Sequence, residues 1–337
     1  MTTNAISRRT TIAAVLALGT SVALAACSDP EEKTTTATIA PQQGEAKAQV
    51  VRYDTSPSQT LRVKGTYDAA IAAKLPPALR KRGSIIVGNG SAGGGIPPLG
   101  FTATDNKTPV GVELDIAYLI SNVLGLKPQV QTTSFENLFV GVDSGKYDVA
   151  LSNVGVSELR KEKYDFATYR LGLHAFEVKK GSPIRVKGPA DLAGKRVAVG
   201  SGTLQEDILL RWNAENVKAG RAPIKVSYYQ NASDYYLALA SGRIDVYLGP
   251  NPSATYHVAT DGKTQIVGTV SSSYPVQGKV GVLTKKGNAL APVIQQALNK
   301  TIADGTYAKV LKRWGLSSEA VPKSELNPPG LPKPAKK

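Results

Sequence analysis

A buried strand that ends in polar residues and is followed by an arginine can hold a small anion. Ser144–Tyr169 has this pattern: Tyr147 to Leu151 read as a buried strand, Ser152 and Asn153 end it, and Arg160 precedes Asp165 and Phe166. A guanidinium is planar and always charged, so it can meet two oxygens of one carboxylate at once. The carboxyl end of a buried strand is also where open α/β sheets receive ligands. Judged only by its neighbours Lys161 and Lys163, Arg160 is equally an arginine of a solvated basic turn.

Other chemistries find little support. His174 and His257 stand alone, there is no GxSxG, and no group of His, Cys and acidic residues has metal-ligand spacing. Gly88-Asn89-Gly90-Ser91-Ala92-Gly93 fits GxGxxG after a strand, but Gly94, Gly95, Ile96, Pro97 and Pro98 follow and cannot open the helix a pyrophosphate needs. No cofactor is expected. Glu113 is the acid best placed to act as a general acid or base; its other role is that of an acidic residue in a helix's first turn.

These residues need a scaffold, and the chain spells one out. Ser84–Val87 is a strand, and Leu114, Tyr118, Ile120 and Leu124 recur at helical spacing before a Gly125 cap. Gln129–Thr133 is a strand and Phe135–Ser144 a helix, so strands and helices alternate as in a mostly parallel sheet. Further on, Ile224–Tyr229 is a strand and Ser233–Ala240 a helix. Ser241-Gly242-Arg243-Ile244-Asp245-Val246-Tyr247-Leu248 then repeats the logic of Ser144-Gly145-Lys146-Tyr147-Asp148-Val149-Ala150-Leu151, which points to two lobes of like local build. Asp148 and Asp245 both stand at a strand entrance and are assigned structural roles. The chain is expected to cross between lobes at Gly181–Pro183 and to return on Lys279–Thr284. Tyr67–Arg82 reads as a short helix stopped at Pro76-Pro77.

The termini differ in composition. Residues 1–26 carry Arg8 and Arg9 before an apolar run from Ile12 to Ala26, shorter than the ~20 residues a spanning helix requires, and are expected to be a signal peptide. Leu24-Ala25-Ala26-Cys27 is similar to a lipobox, which makes Cys27 the site of lipidation, an anchor to the outer face of the cell membrane without a span. As the chain's single cysteine it implies no disulfide. Residues 27–66 read as a flexible tether and 317–337 as a disordered basic tail. Lys and Arg number 41 against 26 Asp and Glu, a net charge of +15, but they are spread along the chain without a nucleic-acid motif, so no nucleic-acid partner is expected.

The Ser144–Tyr169 segment, with Ile96-Pro97-Pro98-Leu99, Gly111–Ala117, Asp191–Thr203 and Thr301–Gly315, resembles the bacterial extracellular solute-binding proteins of family 3, over about Tyr67 to Leu316. That resemblance implies an α/β clamshell of the type II periplasmic-binding-protein fold. Its first lobe is 67–180, its second 181–274, and 275–316 returns to the first. It implies a monomer without catalysis that captures an amino acid or other small-molecule carboxylate for an ABC permease and its ATPase. Carried over by position, the ligand would meet Arg160, Ser152, Asn153, Gly155, Thr203, Leu204, Phe135, Ile96, Pro250 and Asn251. Several of these depart from the family's pattern: Pro250 replaces the Asp that pairs an ammonium, Gly155 a Ser or Thr, Leu204 a Thr, and Ile96 a Tyr. An unpaired buried ammonium costs several kcal/mol, so the guest is expected to lack a simple free α-amine, unless Asn251 or Asp234 supplies the contact. A dehydratase-like enzyme and a sensing lipoprotein without a transporter are the alternatives.

Overall fold

The computed structural model describes residues 34–40 and 49–334; the expected signal peptide, Cys27 and residues 335–337 lie outside the described residues. Thr34–Ile39 (β1) and Gln49–Asp54 (β2) pair antiparallel. This corrects the flexible tether expected over 27–66 for the residues described there, 34–40 and 49–66. The Thr-rich composition conceals a period of two that buries Ala37, Ile39, Val51 and Tyr53, and threonine is itself a good strand former. A second correction concerns Pro76-Pro77. After Ala69–Ala72 (α1), a new helix, Pro77–Arg82 (α2), begins at the second proline, whose missing N–H is harmless in a first turn.

Ser84–Asn89 (β3) leads into the glycine-rich stretch, where Gly93, Gly94 and Gly95 all take positive φ and the chain enters Gly95–Ile96 (β4), the first of three short strands with Gly100–Thr102 (β5) and Pro109–Val110 (β6). Val112–Leu124 (α3), Lys127–Thr132 (β7), Phe135–Asp143 (α4) and Val149–Ala150 (β8) follow. β3 pairs parallel with both β7 and β8.

Tyr164–Lys179 (β9) is a single strand of 16 residues. Beyond it come Arg196–Val199 (β10), Leu204–Lys218 (α5), Lys225–Tyr228 (β11), Ala232–Ala240 (α6), Val246–Pro250 (β12), Asn251–Asp261 (α7) and Thr264–Ser271 (β13). Gly278–Lys285 (β14), Leu290–Ala303 (α8) and Thr306–Arg313 (α9) complete the regular elements. β10 pairs parallel with β11 and β12. The spatial orders β7-β3-β8 and β11-β10-β12 are the same three-strand arrangement, so the two lobes share the build that the repeated octet implied.

β9 joins the lobes. Tyr164–Gly172 pairs with β14, whereas from Leu173 onward the partners are β13 and β12. The crossing therefore lies at Gly172–Leu173, not at the expected Gly181–Pro183. A strand that finds new neighbours on each half needs no turn to pass between lobes. The return passes through Ser272–Gln277 into β14. The first lobe packs around Leu119, Ile294, Leu311 and Trp314, the second around Phe176, Val199, Leu209 and Trp212.

The disordered tail expected over 317–337 is also corrected over its described part. Val321, Ser324 and Leu331 are buried, Leu331 within the second lobe's core, and Glu319 ion-pairs with Arg170. Proline and lysine dominate the segment, but Val321 and Leu331 pack into the lobes' cores and Glu319 meets the buried Arg170.

Candidate functional site

The carboxyl ends of the parallel strands converge on one cavity of about 100 Å³. Gly90 follows β3, Phe135 follows β7, and Ser152 and Asn153 follow β8. From the second lobe come Gly200, Ser201 and Thr203 after β10, Tyr229 and Gln230 after β11, and Pro250 at the end of β12. This is the crevice that open α/β topology creates, built twice and closed on itself. Two hydrogen bonds bridge it. Gln230 Nε2 donates to Glu136 Oε1 at 3.0 Å, and Arg160 Nη2 donates to the Gly202 carbonyl at 3.0 Å.

Arg160 is half-buried. Its Nη1 donates to the Gly155 carbonyl at 3.0 Å, and its guanidinium carbon lies 5.0 Å from the Phe139 ring centre and 5.7 Å from that of Phe135. Burial lowers its pKa to about 10, opposed by the nearby Asp207 and Tyr164, so the group stays cationic at neutral pH. Carbonyl oxygens, not a carboxylate, meet the fork. It faces a small chamber of about 10 Å³, room for one water-sized group, that shares Phe135, Asn153 and Gln205 with the main cavity.

The expected site residues divide by position. Ile96, Phe135, Ser152, Asn153, Thr203 and Pro250 line the main cavity; Arg160, Gly155 and Leu204 line the chamber beside it. Several already have intramolecular partners. Ser152 Oγ accepts from Gly90 N at 3.1 Å. Asn153, held at a φ of 52°, accepts from Arg170 Nη2 at 2.5 Å. The Thr203 hydroxyl donates to Gly200 O at 2.7 Å and accepts from Glu206 N at 3.2 Å, capping α5. Asn251 lines neither space; its amide donates to Glu319 Oε1 at 3.2 Å. Asp234 is likewise absent from both linings and interacts with Asn231 and Ser233.

Sequence reasoning overlooked Leu99, Gln205, Tyr229, Gln230, Tyr235, Tyr247 and Leu248, which complete much of the wall. Tyr235 and Tyr247 stack with ring centres 3.7 Å apart at 11°. Tyr229 and Gln230 could have been found from the rule that placed Ser152 and Asn153, since both pairs end or follow a strand. No such signal existed for Tyr235, which reaches the cavity from within α6. None of the side chains lining the main cavity carries a charge.

A family model described as bacterial extracellular solute-binding proteins, family 3, matches residues 91–317. The chain belongs to that family. The L-cystine-binding protein TcyJ of Escherichia coli (strain K12) is 31% identical over 255 residues, covering 75% of this family 3 protein and 88% of that one. The L-cystine-binding protein TcyA of Bacillus subtilis (strain 168) is 24% identical over 247 residues, with coverages of 73% and 87%. An ancestral arginine-binding protein, solved bound to arginine, matches with a TM-score of 0.60 and 31% identity over 69% of this chain and 98% of its own. These relatives are substrate-binding proteins of ABC transporters and not enzymes. The geometry of Glu113 agrees: its carboxylate is buried, accepts from the Tyr169 hydroxyl and pairs with Arg170 at 3.2 Å, and it lines neither the cavity nor the chamber.

Proposed function

We propose that this family 3 protein is the extracytoplasmic solute-binding component of an ABC importer. It captures an amino-acid-like carboxylate between its lobes and delivers it to a permease coupled to an ATPase. The guest's carboxylate meets Arg160, and its remaining surface lies against the uncharged wall of Phe135, Tyr229, Tyr235 and Tyr247. The single observation that carries the finer reading is the charge-free lining, to which Pro250 contributes at the position where the family resemblance implies an ammonium-pairing Asp. A guest with a free α-amine, or with a guanidinium like that of arginine, would bring a cation that finds no carboxylate in the wall. An N-substituted amino acid or an organic acid brings none.

Calorimetry tests this with L-arginine, L-cystine and their N-acetyl counterparts against the purified chain. The N-acetylated acids should bind and the free amino acids should not. Tight binding of either unmodified amino acid overturns the reading. A micromolar constant corresponds to about 8 kcal/mol, and losing one partner of a charged pair costs roughly 2–5 kcal/mol. Arg160→Ala should therefore weaken binding by well over tenfold, and an unchanged constant would remove the site.

Lipidation of Cys27 and a monomeric state are part of the same proposal. The first rests on Leu24–Cys27 following an apolar run. Metabolic labelling with an alkynyl fatty acid should mark the wild-type chain and leave Cys27→Ser unmarked and released from the membrane fraction.

A further inference from the structure

The chamber beside Arg160 contains polar groups that the proposed carboxylate contact does not use. His174 is 3% exposed and Ser272 1% exposed, and neither ring nitrogen of His174 nor the Ser272 hydroxyl has a hydrogen-bond partner. Both line the same small space as the Arg160 guanidinium. Burying a hydroxyl or an imidazole nitrogen unpartnered costs about 1–3 kcal/mol each, so three orphaned atoms around one water-sized space mark a position meant to be filled.

The place in the fold sharpens this. His174 sits one residue past the point where β9 exchanges its first-lobe partners for second-lobe ones, and Ser272 opens the return crossing. The Ser272 hydroxyl is pressed between two glycines. A Cβ on Gly172 would lie 2.1 Å from Ser272 Oγ, and one on Gly278 2.0 Å from it. The corridor thus admits the hydroxyl because both neighbours lack side chains. The groups facing His174 are the cations Arg160 and Arg170, whereas Glu113 and Glu319 pair with Arg170. Burial, with these two guanidiniums adding to it, pushes the imidazole pKa down to about 3. The ring is therefore neutral, with one N–H to donate and one nitrogen to accept.

We infer that this hinge chamber is a carboxylate-oxygen position in which His174 and Ser272 join Arg160, making them specificity-determining residues for the guest. The inference rests on the carboxylate reading above. One oxygen enters the chamber through the wall shared at Asn153 and Gln205; the rest of the guest stays in the main cavity. A neutral imidazole N–H and a hydroxyl beside a guanidinium can all donate to one oxyanion, whose charge the guanidinium favours over an uncharged amide oxygen, and they offer nothing to an apolar end. Because the chamber is made of both crossings, the guest's acid group touches the hinge itself.

The chain has two histidines, so labelled imidazole signals report on the site directly. The experiment titrates formate, the smallest carboxylate, into the full chain with isotope-labelled histidine and follows both rings by NMR, against chloride at matched ionic strength. His174 should shift saturably with formate and not with chloride, while His257, bound to Glu177 and Thr264, should stay still. Ser272→Ala, a small change, should weaken the formate constant about tenfold, the loss of one hydrogen bond to a charged group. A His174 signal indifferent to formate, or moved equally by chloride, overturns the inference. Either result leaves the calorimetric test of the wider reading untouched, because that test scores whole guests and Arg160→Ala.

Discussion

At the scale of single residues, Gly155 and Leu204 form a matched pair. A Cβ on Gly155 would lie 2.6 Å from Leu204 Cδ1, so the leucine occupies the space that a Ser or Thr side chain would claim. Gly155→Thr alone should overpack and destabilise by about 1–3 kcal/mol, and Gly155→Thr with Leu204→Thr should recover most of that. A four-member cycle of urea unfolding measures the coupling; additive energies would show the two sites to be independent. Arg170 is the other residue on which much rests. It is fully buried and ion-pairs with both Glu113 and Glu319 while donating to Asn153. Arg170→Met should cost about 3–5 kcal/mol of unfolding free energy, because it leaves two carboxylates buried without their cation.

At the scale of elements, the two octets hold their strands in the same way. Asp148 Oδ2 accepts from Ile86 N at 2.7 Å and pairs with Arg82; Asp245 Oδ2 accepts from Arg196 N at 2.8 Å and pairs with the Arg196 guanidinium. Each carboxylate ties the entrance of its lobe's third parallel strand to the first. The hydrogen bond from Arg196 holds the Asp245 carboxyl below its ordinary pKa, with help from the Arg196 backbone and charge and against some burial. A depressed carboxyl contributes stability that is present above its unfolded pKa and lost as pH falls through the folded value. Asp245→Asn should therefore be less stable than wild type at pH 7 and show a shallower loss on acidification. Urea midpoints taken from neutral pH downward check this, and parallel curves for the two proteins would contradict it.

At the scale of the whole molecule, the first and last described segments reach across the lobes. The Tyr53 ring on β2 stands 4.7 Å from that of Tyr256 on α7 in the second lobe and 6.3 Å from that of Trp314 in the first. Arg313 joins Asp54 at 2.9 Å. The C-terminal segment ties Glu319 to Arg170 and to Asn251 and carries Leu331 into the second lobe's core. Tyr53→Ala should cost about 3–5 kcal/mol, as expected for a buried aromatic removed from a packed site. Ending the chain after Leu316 should lower the thermal midpoint and speed hydrogen exchange in Leu204–Lys218, far from the cut in sequence. Unchanged exchange there would mean the segment contributes nothing to the second lobe.

Strand and helix periodicity, the repeated octet and the Ser152–Arg160 pattern were legible in the chain because each is local: a face of a helix, a strand end, a spacing. Those signals carried the two-lobed α/β architecture and a part of the cleft: Ile96, Phe135, Ser152, Asn153, Thr203 and Pro250 in the main cavity, Arg160, Gly155 and Leu204 in the chamber. The tertiary structure alone decided where the lobes join, since β9 crosses by exchanging partners and not by turning. It also decided that the terminal segments pack, because their few apolar residues gain meaning only from the surfaces they meet. And it alone brought His174, Ser272 and Tyr235 to the site, for each arrives from an element whose sequence describes its own burial and says nothing of what lies opposite.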